Sequence, residues 1–122
     1  MSGIDVEVCT KYLPEQSDPD AEQYAFSYTI TIRNHGSEPG QLLNRSWLIT
    51  DATGHTEQVH GPGVVGEQPR ICPGEEYCYT SGAVLKTPVG AMEGDYEFVR
   101  DDQTPFQVPI PAFSLNVPHL VH

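Results

Sequence analysis

At 122 residues the chain has the length of one domain, and its 38% hydrophobic content suffices for a core without disulfide staples. Seventeen acidic residues against six basic ones give a net charge of −11, with Lys11, Arg33, Arg45, Arg70, Lys86 and Arg100 dispersed. That balance excludes the basic stripe needed for nucleic-acid binding, opposes docking on an anionic membrane and favours solubility.

Ile4, Val6 and Val8 alternate with Asp5 and Glu7, which predicts a first strand with one buried face, ending near Pro14. Glu15 to Glu22 reads as a solvated acidic loop. Tyr24, Phe26, Tyr28, Ile30 and Ile32 alternate with smaller or polar residues and predict the longest strand, broken by the turn chemistry of Asn34-His35-Gly36-Ser37. Leu43, Arg45, Trp47 and Ile49 predict a third strand, closed by Asp51-Ala52-Thr53-Gly54, and His55 to Val59 a short fourth. After a glycine-rich loop, Pro73-Gly74 opens a strand carrying Tyr77 and Tyr79, and Met92 to Arg100 and Phe106 to Leu115 supply the last two. Pro105, Pro109, Pro111 and Pro118 cannot donate to a ladder, so the last strand is expected at a bulged edge.

About seven short strands without a helical stretch predict an all-β, immunoglobulin- or fibronectin type III-like antiparallel sandwich, with residues 1–122 as one domain. Trp47 is expected between the sheets. Tyr96, two residues before Phe98, resembles a tyrosine corner, and because Phe98 stands where antibody domains place a cysteine, no inter-sheet disulfide is expected. Cys9, Cys72 and Cys78 are odd in number and form no C-x-x-C pair, so they are expected to be buried or idle. With no basic, apolar leader at the N-terminus, the expected location is the cytoplasm.

The run His60-Gly61-Pro62-Gly63-Val64-Val65-Gly66-Glu67-Gln68-Pro69 contains G-x-G-x-x-G, the pattern of dinucleotide-binding turns. That pattern works by aiming a following helix at the pyrophosphate, and here Pro69 and Pro73 leave no helix. Backbone N–H groups could still form an anion-binding nest with help from Arg70, although Glu57 and Glu67 oppose it. The loop is read instead as a partner-binding loop of His60, Gly61, Gly63, Val64, Val65, Gly66, Gln68, Pro69 and Arg70. One of Val64 and Val65 should anchor it inward while the other faces outward. Arg45 shares the strand parity of Trp47, so it either pairs with a carboxylate or lines a pocket.

Other constellations point to no chemistry. His55 and His60 flank the fourth strand on opposite faces, and His119 and His122 sit in the tail. Asp18, Asp20 and Glu22 imitate the start of a calcium loop without its central Gly and terminal Glu. Neither Ser81 nor Cys78 has an identifiable base and orienting partner. The expected inventory is no catalytic residue, no metal site and no cofactor. The expected partner is a protein, with nucleotide binding weak or absent.

The chain resembles the ApaG family of small bacterial proteins from about Val6 to Leu115. The likeness is carried by Tyr24–Asn34 (YAFSYTITIRN), Leu42–Asp51 (LLNRSWLITD) and the His60–Pro69 loop. Tyr79-Thr80-Ser81-Gly82, Thr87-Pro88-Val89-Gly90-Ala91-Met92 and Ile110-Pro111-Ala112-Phe113 complete it. The resemblance implies a fibronectin-like sandwich without established catalytic activity, a bacterial association with cobalt and magnesium tolerance, and use of related domains as interaction modules in eukaryotic proteins. It also implies a pyrophosphate alternative at the glycine loop. A non-catalytic protein-interaction module is therefore the preferred reading, and a phosphate- or pyrophosphate-binding protein the alternative.

Overall fold

A computed structural model describes residues 3–118; His119 and His122 lie outside the described residues. Their elements are the strands β1 (Ile4–Tyr12), β2 (Tyr24–Asn34), β3 (Gly40–Asp51), β4 (Thr56–Pro62), β5 (Arg70–Ile71), β6 (Glu76–Leu85), β7 (Val89–Val99) and β8 (Pro105–Asn116), with two short 3-10 turns between β1 and β2. One sheet has the order β1-β2-β6 and the other β4-β3-β7-β8, with β5 paired to the start of β3. All pairings are antiparallel. This is the expected sandwich, with the two-residue β5 as the strand that sequence patterning did not single out.

Alternation makes the two layers. Along β2, Phe26, Tyr28, Ile30 and Ile32 are buried while Ser27, Thr29, Thr31 and Arg33 face out. They meet Leu42, Trp47, Met92, Tyr96, Phe98 and Ile110 from the opposite sheet in one hydrophobic cluster. Full burial of each large apolar side chain contributes roughly 1.5–3 kcal/mol. The prolines do place β8 at an edge, and it is bulged. Met92 pairs with Phe113 and Gly94 with Ile110, so Glu93 stands opposite both Pro111 and Ala112. At Gly94 β7 approaches β3 so closely that a Cβ would overlap the Ser46 carbonyl.

Asn34 is buried, and its side chain joins three segments. Its Nδ2 donates to the carbonyls of Glu38 and Ile71, each at 2.9 Å, and its Oδ1 accepts from Gly36 N at 2.9 Å. Its backbone also exchanges hydrogen bonds with Gly74 and Glu75.

Two expectations are corrected. Tyr96 is fully buried but makes no tyrosine corner, because its hydroxyl pairs at 2.5 Å with that of Tyr79 across the sandwich. The backbone upstream is already committed to the ladder. Of the buried-or-idle reading of the thiols, the burial is overturned: Cys9 and Cys78 are exposed and Cys72 is half-exposed, all three free. Cys9 and Cys78 occupy outward positions of β1 and β6, where strand parity overrides the usual preference of cysteine for the interior.

Trp47 is 4% exposed and stands edge-to-face against Tyr28 and Phe113, at ring-centroid distances of 5.4 and 5.8 Å. Trp47→Ala should therefore cost about 3–5 kcal/mol in chemical denaturation through lost burial plus a cavity. Among the described residues the buried indole Nε1 finds no hydrogen-bond partner. Trp47→Phe removes that orphaned donor and keeps a ring, so its cost should be clearly smaller.

Burial is the main cause that holds both Tyr79 and Tyr96 protonated well above the ordinary tyrosine value of 10.0. Because the folded values exceed the unfolded one, this contribution is complete below pH 10 and is lost as pH rises further. Stability should fall by roughly 1.4 kcal/mol per pH unit for each of the two groups above that point. Unfolding followed by tyrosinate absorbance checks it: these two rings should ionise only as the protein unfolds.

Candidate functional site

A bulge in β3 builds the site. Leu42 pairs with Phe98 and Asn44 with Glu97, leaving Leu43 as an extra residue. The insertion reverses the side-chain parity. Leu42 faces inward before it, and Arg45 and Trp47 face inward after it. The Leu43 carbonyl accepts from Gly63 N at 2.8 Å and from Gln68 Nε2 at 2.9 Å. Leu42 N donates to Pro69 O at 2.9 Å, and Gln41 Nε2 to Gln68 O at 3.1 Å. The glycine segment is thus tied to the bulge from both of its ends.

The segment begins later than expected, since β4 continues through His60, Gly61 and Pro62, opposite Ser46, Arg45 and Asn44 respectively. Residues 64–67 then form a tight hairpin: Val64 N donates to Glu67 O at 2.8 Å and Glu67 N to Val64 O at 2.9 Å. Val65 and Gly66 have φ of 43° and 81°, the left-handed pair of a type I′ turn. Gly66 suits that position, whereas a β-branched valine there is a genuine outlier. Val64 is completely buried and Val65 is 56% exposed, the expected division into anchor and outward contact.

The glycines have different roles. Gly63 has φ 63°, and a Cβ on it would overlap the Glu67 carbonyl. Gly61 does not need glycine's freedom. It lies in regular strand, and a Cβ there would rest 3.4 Å from Arg45 Nη1, an ordinary contact.

Arg45 is held by backbone carbonyls. Its Nη1 donates to the carbonyls of Pro62 at 3.0 Å and Gly63 at 2.9 Å. Among the described residues no carboxylate takes that place; the carbonyls at the end of β4 occupy Nη1. It lines a hollow of about 310 Å³ between the turn and β6, together with Tyr28, Val65, Gly66, Tyr79 and Ser81. That lining holds a cation and no acid.

Arg70 does not join the turn. On β5, its Nε and Nη2 grip both carboxylate oxygens of Asp101 at 3.0 and 2.6 Å. The guanidinium keeps the Asp101 carboxyl below its usual range, and Asp101 raises Arg70 in turn. Both are well exposed, so the pair adds little stability.

His60 also leaves the turn for the outer face of the larger sheet, where its Nδ1 lies 2.7 Å from Ser46 Oγ. A wide groove of about 620 Å³ opens there, with Gln58, Glu93, Asp95 and Pro109 along it. Sequence reading missed Ser46 and Asp95, although their parity opposite Trp47 and Tyr96 marks both as outward-facing. Ser46 pairs in register with His60 on one side and Asp95 on the other. A nucleophile–base–acid relay requires the imidazole in the middle, and here the hydroxyl is in the middle. Among the described residues Ser81 and Cys78 have no imidazole partner; Cys78 Sγ accepts from the Thr31 hydroxyl at 3.6 Å. His55 donates its backbone N–H to Asp51, within the turn that closes β3. Asp18 bridges to Gln23 around the 3-10 turn Pro19–Ala21, and no group of three or more His, Cys, Asp or Glu among the described residues could hold a metal ion.

The two φ outliers make opposite predictions. Gly63→Ala should destabilise by more than about 1 kcal/mol. Val65→Asn should raise the melting temperature, since asparagine tolerates the left-handed conformation that valine resists. Thermal unfolding of the two variants reads both signs.

The family model described as the ApaG domain matches residues 14–100. Protein ApaG of Acidithiobacillus ferrooxidans is 55% identical over 119 residues, covering 98% of this chain and 94% of that protein. Protein ApaG of Escherichia coli is 53% identical over 117 residues, covering 96% and 94%. The crystal structure of a Bordetella pertussis protein named ApaA superposes with a TM-score of 0.91 at 49% identity, covering 94% of each chain. The chain belongs to the ApaG family.

Proposed function

We propose that this ApaG-family protein is a non-catalytic, cytoplasmic recognition module that holds a partner protein through the 62–68 turn. Val65 carries this reading: an exposed β-branched side chain kept in a left-handed conformation while its neighbour Val64 is fully buried. Such strain persists where the surroundings impose it, and it clusters at ligand clamps. Any part in cobalt or magnesium homeostasis would then run through the partner.

The phosphate alternative is disfavoured by the hydrogen-bond arrangement. An anion nest needs convergent free N–H groups. Those of Gly63, Val64 and Glu67 already donate to Leu43, Glu67 and Val64. ATP, ADP and diadenosine polyphosphates are expected to bind no tighter than about 1 mM, an affinity worth about 4 kcal/mol. Calorimetric titration at near-physiological salt checks this, and saturable micromolar binding would place the phosphate ligand first.

The direct test is affinity capture from the native cell with wild type and Val65→Asn. A partner retained by wild type should be lost with Val65→Asn although that variant is the more stable protein. Equal retention would remove the turn from the interface.

A further inference from the structure

The sandwich has four edges, and they are unequally protected. Natural sheets blunt their edges with proline, lysine, charge or bulges, because unpaired N–H and C=O groups invite another strand. β8 carries three prolines and a bulge. β1 carries Asp5, Glu7 and Lys11 along its outward face. β4 is seven residues long and ends in Gly61-Pro62. β6 has none of these devices beyond the charge of Glu76 at its start. It runs ten residues without proline, lysine or arginine, in unbroken register with β2 from Glu76 opposite Arg33 to Leu85 opposite Tyr24. Beyond Glu76 its outward residues are Cys78, Thr80, Gly82 and Val84, small and uncharged, and Val84 is 64% exposed.

The space beside this edge has its own chemistry. A strand added to β6 would send every second side chain inward, towards the seam between β6 and the 62–68 turn. There it would meet the hollow of Arg45, Tyr79, Ser81 and Val65. In a chain with a net charge of −11 this lining is cationic and free of acid. A carboxylate complements it, and aliphatic neighbours complement Val65 and Val84.

We propose that β6 is a docking edge that takes an extended segment of the partner protein as an additional strand, with an aspartate or glutamate of that segment directed to Arg45. This rests on the protein-recognition reading above and names the chemistry of the partner. Backbone pairing would supply affinity and the alternate side chains selectivity, as in other strand-addition complexes.

Random linear peptides of about ten residues, the length of a full strand, would be displayed and selected on the whole protein. Enriched sequences should share an acid flanked by β-branched or aliphatic residues. On binding, every second β6 amide between Tyr77 and Leu85 should gain protection from hydrogen exchange. Changing the peptide's acid to its amide should weaken binding at least tenfold on wild type and little on Arg45→Gln. Because the amide change is made in the peptide, the tenfold loss on wild type does not depend on how well Arg45→Gln folds.

Enriched peptides that leave the β6 amides unprotected would overturn strand addition while the recognition reading stands. Selection of nothing would overturn it too, since the Val65→Asn capture judges recognition separately. Protection of β6 by concentration-dependent pairing of two copies would make the edge a self-association surface and overturn the proposal. Displacement of the peptide by millimolar inorganic pyrophosphate would reassign the hollow to phosphate.

Discussion

The extra residue at Leu43 is the constraint on which the candidate site depends. A regular β3 with Leu42 facing inward would put Arg45 and Trp47 outside, because a one-residue slip moves every later side chain to the other face. The bulge brings both inside while keeping Leu42 in the core. It also releases a carbonyl from the ladder, and that oxygen binds Gly63 and Gln68 together. One local irregularity thus aims the cation and anchors the turn that faces it.

Around this point the polar groups are arranged to limit freedom. Arg45 spans the carbonyls at the end of β4, and the Tyr79 and Tyr96 hydroxyls meet across the layers beneath it. A buried hydroxyl without a partner would cost about 1–3 kcal/mol, so each tyrosine favours the position of the other. The turn above therefore rests on a floor that cannot easily slide. Val65 is left outside as the residue that neither packing nor hydrogen bonding accounts for.

The layers were legible because β2 and β7 alternate cleanly, and the prolines of β8 marked its edge for a reason that holds in any sheet: they cannot donate. The division between Val64 and Val65 was legible from adjacency alone. The bulge was not, since Leu42 and Leu43 are identical residues and hydrophobicity cannot say which one is inserted. For the same reason Arg45 could be assigned a face but not a partner, as backbone carbonyls leave no trace in side-chain patterns. Arg70 looked available to the turn because its acid, Asp101, is distant in sequence. His60 was grouped with the glycines by proximity, but β4 continues past it and the pleat turns it outward.

Asn34 has a consequence for how this end of the molecule moves. One buried amide closes the turn after β2, holds β5 through Ile71, and sits where Gly74 and Glu75 dock. Three connections that would each fray independently share a single latch. Sharing it should make them one cooperative opening unit, with exchange of their amides in a common event with one free energy. Loosening any one of them would loosen β5, and with it the stretch from Arg70 back to Pro69 that suspends the glycine turn from β3.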